Sequence, residues 1–147
     1  MATAKTVLGE VQQNQLGRTL CHEHLILTYG AAKENFPYEY NVQTLADQVV
    51  ANASKAIQVS GIKTMVDVTA KELGRDVELM QLVAQKLSIN VIAPTGFYRQ
   101  SAGIADYWIY QEEDEYEEFM VREITDGVSG GINNAKVKCG EIGRAHG

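Results

Sequence analysis

The chain alternates between short β-branched runs and longer segments in which apolar residues recur three and four positions apart. The short runs predict buried strands, and the longer segments predict amphipathic helices. Two short apolar runs around a polar turn near the N-terminus, at 6–11 and 16–20, predict a hairpin arm and a first strand. The elements predicted after them are a helix over 41–60, a strand over 62–68, a helix over 76–87, a strand over 90–93, a helix over 111–127 and a strand that begins at 136.

Residues at the segment ends support this division. Asn41 is a typical N-cap for the first helix, and Gly61 is a typical helix stop. Residues 29–40 show no period and predict a loop, while the turn-forming residues 94–96 are expected to end the third strand. The acidic run at 112–118 suits a solvated helix N-terminus better than a metal-binding cluster, because acids interact favourably with the helix dipole there.

The alternation of strands and helices is typical of an α/β protein with a parallel sheet. The order of elements alone leaves two architectures open. One is half of a closed (β/α)₈ barrel, and the other is an open flavodoxin-like sheet.

Composition narrows the function classes. The chain has 147 residues, 45% of them hydrophobic and 22% charged, which suits one soluble domain. A net charge of −6 and no basic face argue against nucleic acid and anionic membranes as partners, and no apolar run is long enough to span a bilayer. Residues 1–5 lack the apolar core of a signal peptide, and Cys21 and Cys139 form no Cys-x-x-Cys motif, so we expect a cytoplasmic protein without a disulfide framework.

The candidate chemistry centres on a His-x-His motif. His22 and His24 are two of the three histidines in the chain, and they follow the first predicted strand. Side chains two positions apart on a strand share a face, so both imidazoles can point at one ion while Glu23 points away. A lone His-x-His is more often a surface or hydrogen-bonded pair, but two of only three histidines at this spacing favour a metal site.

The sequence around this motif, residues 17–25, reads Gly-Arg-Thr-Leu-Cys-His-Glu-His-Leu. It resembles the first signature of the phosphotriesterase family of the amidohydrolase superfamily. Residues 64–69 and the Gly-Arg-Asp at 74–76 resemble its second strand and the turn after it, and residues 90–98 resemble its third strand. Three motifs in the right order make chance agreement improbable, and the similarity runs from about residue 6 to about residue 140.

The resemblance implies a partial TIM (β/α)₈ barrel, since the chain is roughly half of the ~250 residues that this fold needs. The expected part is an N-terminal hairpin with about four strands and three helices. The resemblance also implies a two-metal centre, commonly zinc, in which His22 and His24 match ligands of the more buried ion and Tyr98 matches a position that lines the substrate pocket. The activity implied is hydrolysis of a small-molecule phosphotriester, lactone or amide through a metal-bound hydroxide, and a homodimer of the full-length parent is open.

Four further residues have side chains that could act at a site, and each has a structural interpretation as well. Asp67, inside an apolar strand, either orients a ligand histidine or bonds to a neighbouring loop, because an unpaired carboxylate would be costly there. Arg75 and Asp76 are expected to form a loop and a helix cap rather than to act on substrate. Cys21 is not expected to be a nucleophile, since no base is spaced to activate it.

The chain departs from the family pattern at its C-terminal end. By the family register the bridging lysine or glutamate should fall near 143 or 144, so Lys138 and Glu141 both come too early, and the remaining histidines and aspartate would lie beyond the chain. The segment from Glu141 to His146 can be back-translated as GAG ATC GGA AGA GCA CAC, which matches a common sequencing adapter. We therefore expect residues 1–140 to be the N-terminal half of a metal-dependent hydrolase barrel and residues 141–147 to be a non-native tail.

This division gives two functional hypotheses. The first is an inactive half of a hydrolase, which should be poorly soluble or associate by strand swapping when expressed alone, because half a barrel leaves open sheet edges. The alternative is a small, non-catalytic α/β protein that binds a ligand or partner. An independent domain should complete its last element, and this feature separates the two.

Overall fold

The protein is described by a computed structural model that covers residues 2–28, 32–99 and 104–144. The strands are β1 (Thr3–Thr6), β2 (Gly9–Gln12), β3 (Arg18–Glu23), β4 (Ile62–Asp67), β5 (Asn90–Ile92), β6 (Pro94–Phe97) and β7 (Glu141–Arg144). The helices are α1 (Ala32–Asn35), α2 (Val42–Ser60), α3 (Val77–Leu87), α4 (Asp106–Ile109) and α5 (Glu113–Thr125). No helix within these ranges is long and apolar enough to cross a membrane.

The strand order decides between the two architectures. β3 pairs with β4 and β4 with β5, all parallel, and β6 pairs in parallel with β7. Only Ala93 separates β5 from β6, and its carbonyl accepts a hydrogen bond from the Gly140 amide at 3.0 Å, so the sheet is continuous. Neighbouring strands therefore follow chain order. A flavodoxin-like sheet would place the first strand between the second and third, so the expectation of a partial barrel is confirmed.

Helices α2 and α3 form where the local signals predicted them. The Asn41 side chain accepts from the Thr44 amide at 2.9 Å to begin α2, and Gly61 ends it with a φ of 67°. The Asp76 carboxylate accepts from the Leu79 amide at 3.0 Å to begin α3. The inner faces of both helices cover the sheet in an apolar core, which includes Ile57, Ile62, Met65, Val77, Met80, Ala84 and Val91.

The N-terminal hairpin is shifted relative to its prediction. Residues 6–11 were expected to form one strand, but they contain the turn between β1 and β2. The Val7 amide donates to the Val91 carbonyl at 2.8 Å, and Gln81 on α3 donates to the Val7 carbonyl at 2.8 Å. The hairpin turn is therefore attached to the amino-terminal side of the sheet, opposite the strand ends where a barrel site forms.

Three other predictions need correction. Residues 94–96 were expected to end the third strand, but they belong to β6, because Pro94 opens a strand whose ladder continues to Phe97. The fourth strand begins at Glu141 instead of 136, since Val137 pairs in an antiparallel bridge with Val128 before the chain reaches the sheet. The short helix α1 interrupts the segment 29–40 that was predicted as a loop, and residues 29–31 of that segment lie outside the described residues; the short helix α4 was not predicted.

Candidate metal and substrate site

A cavity of about 320 Å³ opens at the carboxyl ends of the parallel strands. The carboxyl ends of β3 and β6 and the residues after β4 contribute side chains to it, as expected for a barrel active site, and Glu141 and Ile142 join them from the start of β7. Its lining includes His22, His24, Val68, Tyr98, Arg99 and Glu141. The first and third motifs of the sequence therefore meet at one edge of the sheet, together with residues that follow β4.

The two histidines lie side by side at this edge. His22 belongs to β3, and His24 comes one residue after the strand ends. Their ring centroids are 5.6 Å apart with the ring planes at 81°, and both side chains are exposed to the cavity. Two imidazoles on one tetrahedral zinc ion, at zinc–nitrogen distances of about 2.0–2.1 Å, would have centroids about 5 Å apart. The centroid distance of the pair is therefore close to that of two imidazole ligands on one divalent ion.

A third ligand is not assembled with this pair. Across residues 2–28, 32–99 and 104–144, no group of three histidine, cysteine, aspartate or glutamate side chains comes close enough to hold an ion. The donor set is therefore partial, in keeping with a chain that carries only the first strands of a barrel.

Thr69 contacts the His24 ring directly, and Asp67 contacts Thr69. The His24 Nδ1 atom lies 3.0 Å from the Thr69 hydroxyl oxygen. Asp67 accepts the Leu25 amide at 3.1 Å and the Thr69 amide at 2.8 Å, so its carboxylate bonds to the neighbouring loop and reaches His24 only through Thr69. Burial raises the pKa of Asp67, although the hydrogen bonds from Thr69 and Leu25 and the charge of His24 oppose that shift.

Tyr98, which the resemblance assigns to the substrate pocket, is among the residues that line this cavity. Its amide donates to the Glu72 carboxylate at 3.1 Å, which fixes the backbone after β6. The Arg99 guanidinium lies over the Tyr98 ring, 5.6 Å from its centroid. The preceding residue, Phe97, packs into an aromatic cluster with Trp108 and Phe119 at centroid distances of 4.8 and 5.3 Å. The carboxyl end of β6 is therefore held both by this packing and by the hydrogen bond from the Tyr98 amide.

Glu141, at the start of β7, also lines the cavity. Its Oε2 atom is buried and has no hydrogen-bond partner within the described residues. Burial raises the pKa of Glu141, while the charge of His22 partly opposes the shift. Sequence reasoning had set this residue aside, because it comes too early for the family's bridging ligand.

Arg75 forms a buried ion pair that the sequence did not reveal. Its guanidinium donates to both Glu123 carboxylate oxygens, at 2.7 and 2.6 Å, and to the Pro94 carbonyl at 2.7 Å. Thr95 donates to Glu123 at 2.7 Å, and the Cys139 thiol donates to Pro94 O at 3.1 Å. Arg75 therefore connects α5 to β6, and it is not among the residues that line the 320 Å³ cavity. The only available signal was a lone arginine after a glycine, which carries no information about a partner 48 positions away.

Asp76, expected to be a helix cap, is confirmed as one, and it has further partners. Besides capping α3, its carboxylate accepts from Lys33 at 2.8 Å and from the Tyr40 hydroxyl at 3.0 Å. Burial, together with the charge of Asp76, raises the pKa of Tyr40. These residues line a larger groove of about 970 Å³, whose lining includes the ion pairs Lys33–Asp76 and Arg75–Glu123.

Comparison with known proteins agrees with this arrangement. The model of the phosphotriesterase family matches residues 2–146. An aryldialkylphosphatase of Saccharolobus solfataricus is 32% identical over 125 residues, which cover 85% of this chain and 39% of that protein. An N-acetyltaurine hydrolase of Xenopus tropicalis is 26% identical, and the match covers 95% of this chain and 46% of that one.

The fold comparison gives the same result. The structure of an organophosphorus hydrolase mutant from Deinococcus radiodurans matches with a TM-score of 0.82 and 28% identity, covering 96% of this chain and 43% of the other. The chain thus spans less than half the length of these relatives, which are hydrolases. A family match over nearly all of its residues shows that the chain belongs to the phosphotriesterase family.

Proposed function

We propose that the full-length protein containing this chain is a divalent-metal-dependent hydrolase of ester-type bonds, namely phosphotriesters, lactones or amides. One observation carries this proposal. His22 and His24 lie with ring centroids 5.6 Å apart at the carboxyl end of β3, inside the segment that resembles the first family signature. Zinc is the ion we expect, with two ions in the full-length protein, because imidazole nitrogens suit it well.

The chemistry divides between the ion and the protein. When bound, such an ion acts as a Lewis acid that polarises the scissile group and activates water for attack. The chain's own residues have other tasks. His22 and His24 hold the ion, and Tyr98 forms one wall of the substrate pocket.

Arg99 suggests a preference among substrates. Within the described residues no carboxylate lies at ion-pair distance from its guanidinium, which lies over the Tyr98 ring, and both residues line the cavity. A cation in this position favours substrates that carry an anionic group away from the scissile bond. We therefore propose that acidic amides or esters are better substrates than neutral ones of the same size.

We propose that this 147-residue chain has no hydrolase activity by itself. Within the described residues, β3 pairs only with β4 and β7 only with β6, so both edges of the parallel sheet are open. Open edges favour strand swapping or aggregation, and a soluble monomer that hydrolyses esters with zinc would contradict this proposal. We also propose a cytoplasmic location, supported by the unpaired thiols of Cys21 and Cys139, and leave a homodimer of the full-length protein open.

Residues 141–147 remain proposed as a non-native tail, supported by the match of their back-translation to a sequencing adapter. Re-amplifying the source locus tests this, and genomic codons for the segment after Gly140 would refute it. In that case Glu141, which lines the cavity and has a buried carboxylate oxygen without a hydrogen-bond partner within the described residues, becomes the candidate third ligand.

Metal binding tests the central proposal. We would titrate the protein in its full encoded length with Zn²⁺ against a chromophoric chelator. His22→Ala and His24→Ala should each weaken binding by about tenfold or more, since each removes a direct ligand. Cys21→Ala is the matched control, because Cys21 lies next to the pair and lines the same cavity. Unchanged affinity in both histidine variants would refute the proposal, and a loss confined to Cys21→Ala would assign the ion to the thiol.

A further inference from the structure

We propose that Thr69 is a positioning residue that holds His24 in the Nδ1–H tautomer, with Asp67 as the anchor behind it. This inference rests on the proposed function, because its purpose is to present the other ring nitrogen of His24 to a metal ion. The site then includes Asp67, the last residue of β4, and Thr69, two residues further on, in addition to the candidate ligands at the carboxyl end of β3.

The geometry begins with a buried threonine. Thr69 is 1% exposed and Asp67 is also 1% exposed, directly at the end of β4. The Thr69 hydroxyl oxygen is 3.0 Å from His24 Nδ1, and a hydrogen bond from the same side chain is among the causes that lower the pKa of Asp67 against the effect of its burial. A buried hydroxyl between a carboxylate and an imidazole has few alternative orientations, because its hydrogen-bonding capacity has to be satisfied inside the protein.

The direction of these hydrogen bonds follows from the donor count. Each Asp67 oxygen already accepts a backbone amide, from Thr69 at 2.8 Å and from Leu25 at 3.1 Å, so the carboxylate acts as an acceptor. A hydroxyl has one proton to donate and lone pairs to accept with. When Thr69 donates its proton to Asp67, its oxygen faces His24 with a lone pair, and His24 Nδ1 has to be the donor.

The consequence for His24 is a defined ligand atom. A neutral imidazole carries one N–H, so a proton on Nδ1 leaves the lone pair on Nε2, the nitrogen that is free to bind an ion. Partners behind a ligand histidine commonly fix its tautomer and ring orientation. His22 has no hydrogen-bond partner for its ring nitrogens within the described residues, so it serves as an internal reference with no such restraint.

Nuclear magnetic resonance of the metal-free protein tests the tautomer directly. Long-range ¹H–¹⁵N correlations on the ¹⁵N-histidine-labelled protein, in its full encoded length and at a pH of about 8 where imidazoles are largely neutral, report which ring nitrogen carries the proton. We expect predominantly Nδ1–H for His24 and no such selection for His22. A His24 signal that is mainly Nε2–H would overturn the proposal without any variant or metal.

Variants of Thr69 give the second readout. Thr69→Val removes the hydroxyl with little change of shape, and Thr69→Ser keeps it. The valine variant should lose the Nδ1–H selection and bind Zn²⁺ about tenfold more weakly, while the serine variant should retain both properties. Thr19→Val is the matched control, since Thr19 is an exposed threonine on β3 whose hydroxyl bonds only the nearby Gly17 carbonyl.

The outcomes separate this inference from the proposed function. A Thr69→Val protein with the wild-type tautomer and wild-type zinc affinity would overturn the positioning role and leave metal binding intact. If His22→Ala and His24→Ala do not change zinc binding, the proposed function fails, while the wild-type tautomer spectrum still decides the hydrogen-bond chain. If Thr69→Val does not fold, the wild-type and Thr69→Ser spectra together decide the role.

Discussion

Glu123→Gln is the substitution whose effect on stability follows most directly from the structure. Glu123 receives two hydrogen bonds from Arg75, at 2.7 and 2.6 Å, and one from Thr95 at 2.7 Å. The side chains of Arg75 and Glu123 are only 4% and 11% exposed, so water cannot replace a lost partner. Burial alone would lower the pKa of Arg75, but the Glu123 carboxylate more than offsets that effect and keeps the guanidinium charged.

The size of the effect can be estimated from this geometry. Removing one member of a buried ion pair costs about 3–5 kcal/mol, because the remaining charge is left uncompensated. Glutamine keeps the shape and one acceptor oxygen, so we expect a loss near the lower limit, about 3 kcal/mol of the free energy of unfolding. For a domain that is stable by about 5–15 kcal/mol, this loss should lower the urea midpoint by about 1–3 M.

Urea denaturation of the protein in its full encoded length, followed by circular dichroism, measures this loss. Glu118→Gln is the matched control: it lies on the same helix and pairs with Arg122, but both side chains are more than 60% exposed, so the change should stay within about 0.5 kcal/mol. The double variant Arg75→Met/Glu123→Met should cost about 2 kcal/mol less than the sum of its single variants. Additive single effects, or a loss below about 1 kcal/mol for Glu123→Gln, would refute a buried, interacting pair.

Four further predictions concern individual side chains. The exposed Cys21 should react quickly with a thiol reagent in the native protein, whereas Cys139 should react only after unfolding. Cys139 is 0% exposed, and burial raises its pKa to about 11. Equal reaction rates of the two thiols in the native protein would contradict this. Because the pKa of Cys139 is higher in the folded state, that state holds the thiol proton more tightly than the unfolded state does. The contribution of the Cys139 thiol to stability is therefore complete below pH 9 and is lost as the pH rises towards 11. Asp76→Ala should lower the free energy of unfolding by about 1–2 kcal/mol, since it removes the N-cap of α3, and a change below ~0.3 kcal/mol in urea denaturation would argue against the cap. Arg99→Gln in the full-length enzyme should raise the KM for an anionic amide up to about fivefold and leave a neutral amide of the same size unchanged; equal effects on both would exclude charge selection.

The sequence predicted the elements whose signals are local. The helices α2 and α3 have a polar N-cap, Asn41 or Asp76, followed by apolar residues three and four apart, and both features act within a few turns of the same segment. The His-x-His pair was also accessible, because strand periodicity places His22 and His24 on the same face. Partial-barrel architecture required the family resemblance, since alternation of strands and helices fits both architectures.

What the sequence could not supply depends on contacts between distant segments. The register of the hairpin was missed because the apolar run at 6–11 gives no sign that Val7 leaves the strand to bond to Val91. The start of β7 was missed because the bridge between Val137 and Val128 competes with the sheet for the same residues. No local signal in the sequence distinguished Thr69, whose hydroxyl oxygen lies 3.0 Å from His24 Nδ1 in the folded protein.

Hydrolysis by the full-length protein before and after chelation tests the proposed metal-dependent activity most directly. We would assay one phosphotriester, one lactone and one N-acyl amide with the purified protein, with the protein after treatment with a strong zinc chelator, and with the treated protein after zinc is restored. Chelation should abolish hydrolysis of whichever substrate is turned over, and zinc should restore it in the wild type and in Cys21→Ala but not in His22→Ala or His24→Ala. Hydrolysis that survives complete removal of the metal, or that returns with zinc in both histidine variants, would contradict a reaction that depends on an ion held by His22 and His24.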